Sequence, residues 1–164
     1  MRRLITIGIA VLAIFAAVAV AASRLTLSAL PEPGQGETLL ATKVKHYFVQ
    51  KYSRSGIPSA PADRQGAVKN GERLFGTECA ACHGMNGHNP TDAGRWMYPR
   101  AADLASRDSQ SYSDLELFWI IKNGIRLSGM PAFGRVESDE HIWGLVLYVR
   151  TLPKGISETT QTHR

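Results

Sequence analysis

Cysteine is scarce in this chain, with only two among 164 residues, so a multi-disulfide scaffold is excluded. Charge of one sign is scarce where it would matter most. The net charge is +5, yet Gly66 to Pro153 holds nine basic and ten acidic residues. The basic excess sits in Arg2 and Arg3 and in Lys43, Lys45, Lys51 and Arg54. No basic stripe marks the main segment, so nucleic acid is not an expected partner. The residues around Lys43–Arg54 read first as a solvated face and second as a membrane-surface contact. No alternating strand pattern, internal repeat or low-complexity tract appears. Gly 15 and Pro 8 follow no period, which excludes collagen. With 44% hydrophobic and 20% charged residues, wholesale disorder is excluded as well.

What is present begins with Leu4 to Ser23, 20 residues without a charge. As a helix this stretch is roughly 30 Å long, about one hydrocarbon core. Arg2 and Arg3 precede it, holding its start in the cytoplasm and placing the remainder outside. A cleaved signal peptide competes with an uncleaved anchor, because Ala19-Val20-Ala21 offers small residues for cleavage. The length of the run favours the anchor. Either reading exports the rest of the chain to the periplasmic or extracytoplasmic side.

Ala29 to Gly36 is a Pro/Gly-rich linker. Leu40, Val44, Tyr47 and Phe48 then recur at helical spacing within Glu37–Tyr52. This helix can pack on the main domain, on a partner or near the bilayer. Ser53–Ala62 breaks it. Asp63 caps a helix running to about Thr77. Ser113-x-x-Glu116 is a capping box opening a helix with Leu115, Phe118, Trp119 and Ile121 inward, closed by Asn123-Gly124. Ser138 caps a last helix, Asp139 to Leu152, with Ile142, Leu145, Val146 and Val149 on its apolar face, stopped by Pro153. The expected fold class is all-α with long loops. The expected organisation is an anchor over 1–23, a linker with an amphipathic helix over 24–62, a main domain over 63–153 and a tail over 154–164. Three short helices bury too little by themselves, so a cofactor is expected to fill the middle.

Cys79-Ala80-Ala81-Cys82-His83 supplies that cofactor's signature, the spacing of covalent c-type haem attachment. Each thiol adds across one haem vinyl group, and the next residue, His83, lies under the iron as its proximal ligand. A zinc site would want further ligands, and no other cysteine exists. A dithiol redox pair usually sits in a βαβ fold, which this pattern is not.

The series Gly71-x-x-x-Phe75-x-x-x-Cys79-x-x-Cys82-His83-Gly84, followed by Gly129-Met130-Pro131, resembles the class I monohaem cytochromes c. Tyr98-Pro99, Asp103-Leu104, Asn123-Gly124-Ile125, Gly129 to Phe133 and Ile142-Trp143 resemble the membrane-anchored bacterial members. The resemblance covers about Gly66 to Pro153. It implies one haem c, bound through Cys79 and Cys82, with Met130 as distal iron ligand; Met85 and Met97 are the rivals. It also implies that Gly71 and Phe75 pack against Leu145 and Tyr148 where the first and last helices cross. A proline carbonyl would accept the proximal His83 N–H, with Pro99 as candidate and Pro90 as rival. Arg95, Trp96, Tyr98 and Arg100 are placed either near the haem propionates or on the loop surface, and Phe118 and Trp119 in the haem pocket. His88 and His141 are expected at the surface, and His46 and His163 outside the domain.

Two axial ligands leave no open position on iron, and Met ligation raises the potential. The resemblance thus implies an electron carrier, not an enzyme, with no small-molecule substrate. Its expected partners are redox proteins in or at the membrane. The alternative is the haem-bearing subunit of a respiratory dehydrogenase or oxidase, with the Glu37–Tyr52 helix as docking element. A haem sensor or peroxidase would need Met130 to leave the iron, and no distal His or Arg arrangement is evident.

Overall fold

The structure, a computed structural model, describes residues 2–23 and 28–152. The stop at Pro153, the tail 154–164 and His163 lie outside the described residues. Among the described residues all regular structure is helical, as expected. The chain forms two compact units, residues 1–32 and 33–164.

The first unit is built on α1 (Arg2–Ser23). Its described side chains are exposed, and it is the one helix among the described residues long and apolar enough to cross a membrane.

In the second unit, α2 (Gln35–Tyr52) leads to α3 (Arg64–Leu74), a widened π-turn over Phe75–Cys79 and the single turn of α4 (Ala80–His83). The short α5 (Asp92–Trp96) and α6 (Arg107–Ser111) punctuate the loops before α7 (Asp114–Asn123). A 3₁₀ turn at Phe133–Arg135 precedes α8 (Asp139–Thr151). The ends fall where local chemistry sets them. The Asp63 carboxylate accepts from the Gly66 N–H at 2.9 Å. Ser113 and Glu116 exchange bonds as a capping box, the Ser113 N–H donating to the Glu116 carboxylate at 2.7 Å. Gly124 ends α7 at φ 65°, a conformation costly for a residue with a Cβ.

Crossed helices α3 and α8 make the largest interface of the unit. Gly71 sits at the crossing, where a Cβ would overlap the Gly144 carbonyl and stand 2.9 Å from the Leu145 nitrogen. Phe75 and Tyr148 meet beside it with ring centroids 5.2 Å apart. These are the contacts that the resemblance implies for Gly71, Phe75, Leu145 and Tyr148. Gly71→Ala should therefore destabilise the protein. Intrinsic helix propensity favours alanine by about 1 kcal/mol, but separating two packed backbones costs roughly 1–3 kcal/mol. Denaturant unfolding of the haem-loaded protein should show a lower midpoint.

Helix α2 is packed on this unit, one of the three positions its sequence leaves open. Val49 is 1% exposed and belongs to the main core, and Ser53 is buried beside it. His46 stacks on Tyr112 with centroids 4.5 Å apart, so it is part of this unit and not outside it. The chain beyond α2 is held too, since the Trp143 indole N–H donates to the Pro58 carbonyl at 2.9 Å. The expected apolar face is not the one used: Leu40, Val44, Tyr47 and Phe48 all remain exposed.

Helix α7 also departs from expectation. Leu115 is exposed and Leu117 is buried. Phe118 is buried against Trp143 in the core, with centroids 5.0 Å apart, and does not line the main cleft. Trp119 stacks on Tyr52 of α2 at 6.1 Å. Leu117, Ile120 and Ile121 face the cleft instead.

Candidate functional site

The second unit holds an apolar cleft with about 1280 Å³ of atom-free space including its open mouth. Phe75, Leu104, Leu117, Ile121, Phe133 and Leu145 line it, drawn from both ends of the sequence segment. Cys79, Cys82, His83 and Met130 are all on its walls. Residues 47 positions apart in sequence are thus brought to one site by the α3–α8 crossing and the loops it supports.

The π-turn and α4 place the first three of these. Cys79 closes the π-turn, and Cys82 and His83 occupy the single turn that follows. Gly84 at φ 76° ends that turn, its N–H donating to the Ala80 carbonyl at 2.9 Å. The loop beyond folds back onto the motif. The Thr91 hydroxyl donates to the Ala81 carbonyl at 2.6 Å, and the Thr91 N–H donates to the Cys82 carbonyl at 3.1 Å.

His83 Nδ1 lies 2.8 Å from the Ala102 carbonyl oxygen. A carbonyl only accepts, so Nδ1 carries the proton and Nε2 keeps its lone pair for a metal. Burial pushes the His83 pKa down, and the bond to Ala102 opposes that in part. The neutral ring is the ligating form. The expected acceptors were prolines, and this is corrected: neither Pro99 nor Pro90 holds the ring. The Pro90 carbonyl accepts from the Arg95 guanidinium at 2.8 Å instead. A backbone carbonyl carries no side-chain signal, so Ala102 was not legible in the sequence.

Burial pushes the Cys79 thiol up to about 12, with the Glu78, Cys82 and Glu137 charges adding to it. A thiol held there is not the activated thiolate of a dithiol redox pair. Among the described residues no three His, Cys, Asp or Glu side chains gather to hold a metal ion, so the cysteine pair lacks the companions of a zinc site.

The loop carrying Met130 is braced from within. The Met130 N–H donates to the Ser128 hydroxyl at 3.2 Å, and the Ile125 N–H to the Met130 carbonyl at 3.3 Å. Of its rivals, Met85 is 72% exposed and away from the cleft. Met97 does line the cleft, and a Cβ at Gly129 would stand 3.1 Å from its Cγ, so Met97 backs the Met130 loop.

The flanking residues divide. Arg100 lines the cleft. Arg95 pairs with Asp92 and Trp96 is 77% exposed, so both belong to the loop surface. The Tyr98 hydroxyl donates to Glu37 of α2 at 2.6 Å. His88 is half-exposed and sits 2.8 Å from Asp103, and His141 pairs with Glu137. Tyr112, which did not stand out in the sequence, also lines the cleft, and so does Lys45, whose basic run reads in sequence as a solvated face or a membrane-surface contact.

The apolar cleft, two thiols and a neutral imidazole on one wall, a thioether on another and a buried hydroxyl lacking an acceptor at Tyr112 together fit a flat, iron-bearing, carboxylate-bearing macrocycle. Comparison with known proteins agrees. Residues 66–149, just over half of the chain, match the family described as cytochrome C oxidase, cbb3-type, subunit III. The chain is 36% identical over 115 residues to the cbb3-type cytochrome c oxidase subunit FixP of Azorhizobium caulinodans, covering 65% of this chain and 34% of that protein. It therefore spans about a third of that relative's length. A chain of the reducing HAO-like protein complex of Kuenenia stuttgartiensis shares the fold, with a TM-score of 0.51 at 22% identity over 60% of this chain and 48% of that one. The chain thus belongs to the cbb3-type cytochrome c oxidase subunit III family, which implies haem c as its cofactor.

Proposed function

We propose that the chain is a membrane-anchored, non-catalytic electron-transfer subunit of a respiratory oxidase, carrying one haem c attached at Cys79 and Cys82. His83 is the proximal and Met130 the distal ligand. The observation that carries this reading is the placement of all four side chains on the walls of one apolar cleft. When bound, haem c supplies a one-electron iron couple, and a Met ligand raises its potential.

The chain's own residues do the rest. Ala102 fixes the orientation of the His83 ring through Nδ1. Ser128 and Ile125 hold the loop that presents the Met130 sulfur. The aliphatic wall excludes water, so little rearranges around the site when its charge changes. Held by His83 and Met130, the group would serve electron transfer and not substrate binding.

Two observations favour a subunit over a free carrier. The family matched is that of an oxidase subunit, and the apolar stripe Leu40, Val44, Tyr47 and Phe48 of α2 is left exposed on the haem-bearing unit. Helix α1 supports the anchor, which would keep the haem domain on the outer side and raise the effective concentration of membrane partners. The intact chain, solubilised from membranes in mild detergent, should co-purify with a larger redox partner. It should also resist extraction by high salt and alkaline carbonate. Purification alone contradicts the subunit reading, and a mature protein starting at Ala22 or Ser23 contradicts the anchor.

A further inference from the structure

Helix α2 lies outside the family match at residues 66–149, yet it forms part of the cleft wall through Lys45. Several contacts hold it there. Val49 is buried in the core, Glu37 accepts from Tyr98, and His46 stacks on Tyr112 while approaching Asp108 at 3.9 Å. The Lys45 ammonium stands over the same Tyr112 ring, 5.7 Å from its centroid. Among the described residues Lys45 forms no ion pair.

Tyr112 is 6% exposed, and its hydroxyl is buried without a hydrogen-bond partner. Burial pushes its pKa up, with Asp108 and Glu116 adding to this, so the hydroxyl keeps its proton and remains a donor. Leaving such a group unsatisfied is unfavourable, and a ligand acceptor would relieve that cost. A cation and a buried hydroxyl donor therefore border an apolar cleft at one place. Glu78 and Asp108 also line the cleft, but the exposed Asp108 carboxylate is already faced by His46. The group that Lys45 and Tyr112 can both satisfy is an anion carried by the ligand.

We propose that α2 is part of the cofactor site, and that Lys45 and the Tyr112 hydroxyl together bind a carboxylate side chain of the tetrapyrrole. The inference rests on the reading that the cleft holds haem c. A carboxylate left without its cation favours the more positive, ferric iron, and in a low-dielectric site that field is felt strongly. Loss of Lys45 should accordingly lower the reduction potential.

The test uses the haem-loaded full chain with Lys45→Met, Lys45→Arg, Tyr112→Phe and, as control, the exposed Lys43→Met. The readouts are the reduction potential by spectroelectrochemical titration and the propionate bending vibration by resonance Raman. Lys45→Met and Tyr112→Phe should each lower the potential and shift the vibration. Lys45→Arg should restore most of both, and Lys43→Met should change neither. Should Lys45→Met fail to fold, Tyr112→Phe, which removes a single oxygen, carries the same test. An unchanged vibration and potential in the loaded variants overturns the proposal while leaving the haem reading intact. A wild-type chain without haem absorbance overturns both.

Discussion

Replacing both Cys79 and Cys82 with alanine should leave a chain that retains no haem after denaturation and is largely unfolded before it. On the proposed attachment, thioether bonds at Cys79 and Cys82 would be the covalent hold on the haem. The fold is expected to depend on the filled cleft as well. Phe75, Leu104, Leu117, Ile121, Phe133 and Leu145 face it from separate elements. Without the macrocycle between them these side chains lose their partners and stand exposed to water. Burial of a large aliphatic or aromatic side chain is worth roughly 1.5–3 kcal/mol, so losing several such contacts is comparable with the typical net stability of about 5–15 kcal/mol. Circular dichroism should show reduced helicity and no cooperative thermal transition. A double variant that keeps the wild-type unfolding curve would mean that the core closes without a cofactor.

The second large effect is expected at Met130. Met130→Ala should abolish the near-infrared sulfur-to-iron charge-transfer band of the ferric protein, lower the reduction potential and open the iron to carbon monoxide. The thioether stabilises ferrous iron, so its loss shifts the couple toward ferric. Met97→Ala is the informative companion, because Met97 lines the same cleft and backs the Met130 loop at Gly129. It should keep the band and the ligation while loosening the loop. If instead Met97→Ala removes the band and Met130→Ala keeps it, the two methionines have been assigned the wrong way round.

Much of this was legible in the sequence, for reasons that differ from element to element. The caps at Asp63, Ser113 and Ser138 are short-range devices, complete within four residues, and each opens a helix as expected. Cys79-Ala80-Ala81-Cys82-His83 is likewise local, since attachment chemistry dictates the spacing. Gly71 was legible because a missing side chain at a helix crossing has no close substitute.

What the pattern could not carry was the direction each helix faces. Residues 117 to 121 of α7 are apolar throughout, so the run has no polar face to mark its outside. The helix is in fact shared three ways, with Phe118 to the core, Trp119 to Tyr52 and Leu117, Ile120 and Ile121 to the cleft. Helix α2 misled in the opposite sense. Its strongest apolar periodicity is on the exposed stripe, while the packed side joins Val49 to His46 and Lys45, residues that do not read as core. The acceptor for His83 is a main-chain oxygen, and main-chain oxygens look alike in every sequence.

The most direct test of covalent haem at this cleft is the mass of the purified wild-type chain after acid-acetone extraction. The expected result is a mass exceeding that of the polypeptide by one haem, with the added mass confined to the peptide containing Cys79, Cys82 and His83. A chain that returns to the bare polypeptide mass, its haem left in the acetone, would contradict it.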